Sequence, residues 1–325
     1  MDAYRGSVRC VVLCAAIWPV AASGQTGSYP SKPLRMIVPF PAGGSVDFNA
    51  RAISDKFAEH LGQQIVVDNR GGASGTIGSG AAARSAPDGY TLILQSVPFV
   101  TAVILYKNAG YDPLQDFVPI SLVSSVPMAI TVHPSLPVRS VRDLIALAKA
   151  RPGELNYAAS GIGTNSHITG ELFNLMANTA IVPIQYKGGG PALAAAVSGE
   201  VHIAFSNVPQ SARMVEAKRL RPIGVTSLTP SKALPGVPPV AAAGLPGFEF
   251  SGWHGVLAPK GTPPAVVELL NRKLRDTLAD PVVVARFEKG GLDAVSNSSS
   301  EYAEFLAKEL EKWRRVIRER NIRAE

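Results

Sequence analysis

Apolar residues recur along this chain at two different periods. Met36 to Val38 form a short continuous apolar run. It is followed by Pro39-Phe-Pro-Ala-Gly-Gly44, and then by Ala50, Ile53, Phe57 and Leu61 at three- and four-residue spacing. That pattern predicts a buried strand, a tight loop and an amphipathic helix. The alternation continues with strand Gln64 to Asp68, a loop from Asn69 to Gly75, a small-residue helix from Thr76 to Ala83, and strand Tyr90 to Gln95. A second series begins near Met128, with strand Ala129 to Val132, helix Val141 to Ala150 and strand Leu155 to Ala159. The loop Ser160 to Ser166 leads into helix His167 to Ala177 and strand Ile181 to Tyr186. After the glycines 188–190, Pro191 opens a helix from its first position and Gly199 closes it. Strands Val201 to Phe205 and Leu220 to Thr226 follow. Ser231 to Pro246 reads as a connector without periodicity. Phe248 to Leu257 returns as a strand, and helices Pro264 to Leu278 and Ser300 to Glu319 end the chain.

Strands alternating with helices point to an α/β protein whose parallel sheets are covered on both faces. Two such series joined by extended segments suggest two lobes facing across a cleft. At 325 residues the chain exceeds a single ordinary core, which agrees with two units.

The first residues change the picture of where the protein works. Arg5 and Arg9 precede an apolar stretch, Val11 to Ala22, and Ala22-Ser-Gly24 offers a small-residue cleavage site before Gln25. Residues 1–24 are therefore expected to be a signal peptide, with a periplasmic mature protein. The stretch is shorter than the roughly 20 residues that span a bilayer. Both cysteines, Cys10 and Cys14, lie inside it, so no disulfide, thiol nucleophile or thiolate ligand is expected after cleavage.

The formal charge of +7 falls by one when Asp2, Arg5 and Arg9 are removed. A basic surface attracts anions at a distance. No nucleic-acid partner is expected, because the basic residues are not interleaved with stacking aromatics. The densest basic run, Lys312 to Arg323, lies on a helix with the apolar stripe Leu306, Leu310, Trp313 and Ile317, and reads as a solvated face.

Candidate chemistry concentrates in two loops. Gly43-Gly44 at a helix start leaves backbone N–H groups uncovered, and with the helix dipole these form a seat for a carboxylate or phosphate. No lysine follows, so the loop is not a P-loop. Asp47 in the first helical turn either complements the dipole or accepts from a ligand hydroxyl or ammonium. Gly161-Ile-Gly163-Thr-Asn-Ser166 also joins a strand to a helix. Thr164, Asn165 and Ser166 are each able to cap that helix, and His167 behind them reads as structural. Asn207 and Ser96 follow strand ends, where open α/β sheets place ligands.

Enzyme signatures are missing. There is no Gly-x-Ser-x-Gly elbow and no His-Glu-x-x-His helix, and His60, His133, His167, His202 and His254 lack metal-ligand spacing. No cofactor or metal is implied.

Taken in order, several motifs make the chain similar to the Bug family, the extracytoplasmic solute receptors of tripartite tricarboxylate transporters. They are Tyr29-Pro-Ser-Lys-Pro33, Val38-Pro-Phe-Pro-Ala-Gly-Gly-Ser-Val-Asp47, Asp68-Asn-Arg-Gly-Gly72 and Ala86-Pro-Asp-Gly-Tyr-Thr-Leu92. They continue with Tyr111-Asp-Pro-Leu-Gln-Asp-Phe117, Ser166-His167, Gly170-Glu-Leu-Phe173, Tyr186-Lys-Gly188 and Ala258-Pro-Lys-Gly-Thr-Pro-Pro264.

The resemblance implies a two-lobed Venus-flytrap binding protein: residues 25–126 begin lobe 1, 127–227 form lobe 2, and 228–325 supply a connector and complete lobe 1. It implies a small carboxylate held between Ala42, Gly43, Gly44 and Ser45 on one side and the loop Ser160, Gly161, Ile162, Gly163, Thr164, Asn165, Ser166 on the other. The expected partners are that ligand and the membrane subunits of a transporter, with the receptor a monomer. A sensor kinase as partner is the alternative, and an exported serine hydrolase the second. The chain departs from the family pattern at Ile162, where Asn is common, at Asn165, where Pro is common, and at His254, where Tyr is frequent. Ile162 either faces the cleft and favours a ligand with an apolar body, or packs into lobe 2.

Overall fold

The computed structural model describes residues 29–324, so the expected signal peptide and both cysteines lie outside the described residues. The chain runs through Leu34–Val38 (β1), Ser45–Leu61 (α1), Ile65–Asn69 (β2), Thr76–Ala83 (α2), Thr91–Ser96 (β3) and Pro98–Leu105 (α3). A long strand, Phe117–Val132 (β4), precedes Val141–Ala150 (α4), Asn156–Ala159 (β5), Asn165–Ala177 (α5), Val182–Gln185 (β6) and Gly189–Ser198 (α6). Ile203–Asn207 (β7), Val208–Glu216 (α7), Arg221–Val225 (β8) and Val240–Ala243 (α8) come next. The chain then closes with Ser251–Pro259 (β9), Pro264–Ala279 (α9), Pro281–Gly290 (α10), Asp293–Ala294 (β10) and Ser299–Glu319 (α11).

The strand order β2-β1-β3-β9-β4-β7-β5-β6 divides at β4 into two lobes. In the first, β2, β1 and β3 are parallel, whereas β9 inserts antiparallel between β3 and β4. In the second, β5 is parallel to β6 and β7, whereas β4 is antiparallel to β7 and β8. The sheets are therefore mixed, which corrects the expectation of parallel ones. The physical reason is that β9 returns from more than a hundred residues away and reaches its slot from the opposite direction.

β4 is the mechanical link. Phe117 to Pro127 pairs with β9 in the first lobe, and Met128 to Val132 pairs with β7 and β8 in the second. The strand passes unbroken through the boundary expected at residue 126. Helix starts also shift by a turn or less: α5 begins at Asn165, and α6 at Gly189, which puts Pro191 at its third position. The segment 231–246, expected as a bare connector, contains the short α8.

Each helix meets its sheet through the stripe its sequence carries. α1 buries Val46, Ala50, Ile53, Phe57 and Leu61, and ends at Gly62 in the left-handed conformation. One apolar cluster runs from Ile93, Phe99 and Phe117 of the first lobe through Phe250, Trp253 and Trp313 to Tyr157, Phe173 and Phe205 of the second. α11 braces both lobes. Its Arg320 cap donates from Nε to Glu171 Oε2 of α5 at 2.7 Å, and Tyr157 Oη donates to the other oxygen at 2.9 Å.

Candidate functional site

Between the lobes lies a cavity of about 350 Å³, at the lower end of the size range of small-ligand sites. Its walls are made largely of helix starts. Ser45 and Val46 open α1, Pro98 opens α3, Asn165 and Ser166 open α5, Gly189 and Gly190 open α6, and Asn207 stands before α7.

None of these helix starts has a side-chain cap. Gly44 and Gly188, at the N-cap positions of α1 and α6, have no side chain to offer. Thr164, the N-cap of α5, turns its hydroxyl away and donates to Gly161 O at 2.7 Å. Elsewhere α4, α10 and α11 are capped by Ser140, Asp280 and Ser298, whereas α2, α8 and α9 also lack a side-chain cap but do not border this cavity. Uncapped N–H groups and positive dipole ends therefore converge on one space. Hydroxyls add to them: Ser160 Oγ lies 2.8 Å from Ser166 Oγ and 3.0 Å from Thr164 Oγ1.

No lysine, arginine, aspartate or glutamate lines the cavity among the described residues. A small anion placed here would be held by hydrogen bonds and dipoles instead of an ion pair.

The two predicted loops do meet across the cavity. Gly43, Gly44, Ser45, Ser96, Ser160, Thr164, Asn165, Ser166 and Asn207 line it. Ala42, Asp47, Gly161, Ile162 and Gly163 do not.

Asp47 is buried and fully engaged, which corrects its reading as a ligand acceptor. Gly43 N donates to Oδ2 at 2.8 Å, Asn69 Nδ2 to Oδ1 at 3.0 Å, and Arg51 Nε to both oxygens. Burial would raise its pKa, but these hydrogen bonds outweigh it and hold the carboxyl below the usual carboxylate range. Asp47 thus fixes the loop whose glycines face the cavity.

Gly163 takes φ +75° and turns its carbonyl to Thr101 Oγ1 of α3 at 3.0 Å, a contact between the lobes. Its N–H donates to His167 Nδ1 at 3.1 Å, so His167 is structural. Ile162, held between Gly161 and Gly163, lies outside the cavity lining.

Met128, Gly189, Gly190, Ser206, Gln210 and His254 were not among the residues expected to touch the ligand, yet all line the cavity. The glycine run before α6 carries the same signal as Gly43-Gly44 and was the one legible clue. His254 Nε2 lies 3.1 Å from Ser45 Oγ, and Nδ1 lies 2.9 Å from Ser124 Oγ.

Burial pushes the His254 imidazole down to about 4, so it is neutral at pH 7. The unfolded chain takes up this proton near pH 6.5 and the folded one near 4. Between those values the unfolded state binds more protons, so stability falls as the pH is lowered. Going from pH 7 to pH 4.5 should cost wild type roughly 2 kcal/mol more than it costs His254→Gln in urea denaturation. Equal losses in the two proteins would contradict the buried neutral histidine.

A larger groove of about 640 Å³ lies elsewhere on the first lobe, between Phe117, Pro119, Lys260 and the starts of α9 and α11. Of its two helix starts, α11 carries a capping box between Ser298 and Glu301, and α9 begins at Pro263-Pro264 without a side-chain cap. Lys260 and Glu268 line it, so unlike the interlobe cavity it carries charged side chains.

The sequence model of the tripartite tricarboxylate transporter family receptors matches residues 49–322. The chain belongs to this family. It is 40% identical over 302 residues to protein BugT of Bordetella pertussis, covering 92% of this chain and 93% of that one. A Rhodopseudomonas palustris protein solved with adipate is 36% identical with a TM-score of 0.78, over 89% of this chain and 97% of that one. MatC of the same species, solved with bound malate, is 28% identical with a TM-score of 0.76, over 89% of this chain and 100% of that one. The family's members are solute receptors, so the receptor is not an enzyme and the hydrolase alternative falls.

Proposed function

We propose that this receptor captures a small carboxylate between its lobes, closes about β4 and β9, and presents the closed form to the membrane subunits of a tripartite tricarboxylate-type transporter. One observation carries the reading: uncapped helix starts from both lobes converge on a cavity with no charged side chain. The bound adipate and malate in the two structural relatives support the same ligand class. The basic chain draws the anion in, and the local dipoles hold it. The working place is the periplasm, reached through residues 1–24 as a cleaved signal. Residues 25–126, completed by the part of 228–325 that follows the connector, form one moving body and residues 127–227 the other, and the receptor acts as a monomer.

Capture without turnover has a direct test. A bound carboxylate at about 100 times its dissociation constant should add roughly 2.7 kcal/mol of stability and be recovered chemically unchanged. A thermal-shift screen of di- and tricarboxylates, amino acids and aromatic acids reads the first, and chromatography of the ligand reads the second. Absence of any shift across the screen, or recovery of a hydrolysed ligand, would contradict the proposal.

A further inference from the structure

Alternate residues of each strand point to opposite faces of the sheet, and the two faces of this sheet differ. On one face Ile93 of β3, with Tyr157 and Ala159 of β5, belongs to the single apolar cluster that passes from lobe to lobe under α3, α5 and α11. On the other face the core is divided. Leu92 and Leu94 of β3 lie in a cluster drawn only from residues up to 126 and from 256 onward, under α1, α9 and α10. Ala158 of β5 lies in a separate cluster under α6, and Ala129 of β4 in another under α7. Parting the lobes on the first face would expose shared apolar surface to water, whereas parting them on the second splits no common core.

At one point on the divided face the lobes meet without room to spare. Gly291 closes α10 with φ +67°, and Pro209 stands in the first turn of α7 on the other lobe. A Cβ at position 291 would lie 1.7 Å from Pro209 Cγ, 2.5 Å from its Cβ and 3.0 Å from its Cδ. The positive φ of a helix cap explains a glycine here, but not a proline ring from the other lobe set against its bare face. A groove of about 520 Å³ runs beside the contact, lined by Pro127, Val208 and Leu292 among others. On α7 Pro209 lies between Asn207 and Gln210, both of which line the interlobe cavity.

We infer that the lobes swing about their shared core and shut where Gly291 meets the Pro209 ring, so that Gly291 sets how far the cleft closes. This rests on the closure proposed above and not on which acid is held. Gly291 is a positioning residue that acts through α7. A side chain there would keep the lobes about 2 Å further apart at the contact, the distance needed to restore ordinary carbon–carbon spacing. Asn207 and Gln210 would withdraw from the first lobe with it.

Nitroxide labels at Asp276→Cys on α9 and Ser198→Cys on α6 follow the two lobes on the divided face by double electron–electron resonance. Both positions are exposed, neither lines the cavity, and the chain from residue 25 onward has no native cysteine. The mature protein is measured alone and with the di- and tricarboxylates of the screen above, adipate and malate among them. Wild type should populate the short distance of this structure. Gly291→Ala should lower that population about tenfold and weaken calorimetric binding of the same acid by the same factor, because apparent affinity scales with the competent fraction. Gly291→Asn carries the same Cβ on a residue that tolerates positive φ, and repeats the test should the alanine variant fold poorly.

Pro209→Gly clears all three ring atoms from the contact. In the Pro209→Gly/Gly291→Ala protein, affinity and short-distance population should return to within about threefold of Pro209→Gly alone. The strain of alanine at positive φ would remain in that protein, so a loss due to the cap alone would not be rescued. Absence of rescue therefore overturns the inference. So does a folded Gly291→Ala protein that loses stability in urea but keeps wild-type distances and affinity, or a wild type that never shows the short distance. A short distance that responds to no acid overturns the carboxylate reading instead, and the ligand-free populations of the same variants then decide the contact.

Discussion

Gly44→Val should abolish carboxylate binding while the protein stays folded. Gly44 has φ −79° and ψ 175°, an extended conformation open to any residue, and a Cβ there would meet only Pro41 O at 3.3 Å. Gly43 is different, because its φ of +82° would strain any side chain and confuse the result. At the N-cap of α1, valine costs the helix about 1 kcal/mol or less relative to glycine. Its two methyl groups, however, stand over the N–H groups of Ser45 and Val46, where the proposed carboxylate rests. We expect a loss of affinity of about 100-fold or more, equivalent to about 2.7 kcal/mol. Calorimetry gives the affinity, and circular dichroism with a urea melt checks the fold. A folded variant that binds within tenfold of wild type would show that the ligand does not approach this helix start.

Trp313→Ala should produce the largest loss of stability. The side chain is fully buried in the cluster that joins the lobes, with its ring 5.8 Å from that of Phe250. Its Nε1 donates to Glu309 Oε2 at 2.9 Å, and Trp253 Nε1 donates to the same oxygen at 3.0 Å. Truncation opens a cavity at the meeting of both lobes and removes one of two indole donors from a buried carboxylate. Large aromatic truncations of this kind cost about 3–5 kcal/mol. Urea denaturation followed by fluorescence would measure it, and a loss under about 1 kcal/mol would contradict the bracing role given to α11.

The parts of this fold that were legible in the sequence are those whose signals are local. β1, its loop and α1 could be read because an apolar run, a glycine pair and a stripe at helical spacing follow one another within thirty residues. The end of α6 at Gly199 was marked by its left-handed glycine. β4 was only partly legible. Pro119, Pro127 and three serines interrupt its apolar pattern, and the strand survives because its partners β9, β7 and β8 surround it. Prolines argue against a central strand when only the sequence is visible. α3, with Phe99, Val100, Val103 and Ile104, carries β-branched and aromatic residues and has no helical stripe to announce it. α10 was overlooked although Asp280-Pro281 is a helix start and Gly291 a stop.

The site divides in the same way. Glycines and hydroxyls at helix starts could be placed from the sequence, since each belongs to its own strand-loop-helix unit. His254 could not, because its partners Ser45 and Ser124 lie 209 and 130 residues away. Asp47 misled for the opposite reason. A carboxylate in a first helical turn looks available, and only the folded chain brings Asn69 and the Gly43 N–H to it.

The central claim is that the anion is held by helix starts from both lobes, without a charged side chain. A crystal structure with the acid that gives the largest thermal shift tests it most directly. The account predicts carboxylate oxygens within hydrogen-bond distance of N–H groups at Ser45 or Val46 on one lobe and of the Ser160 to Ser166 loop on the other. A carboxylate clamped by an arginine or lysine, or seated outside this cavity, would contradict it.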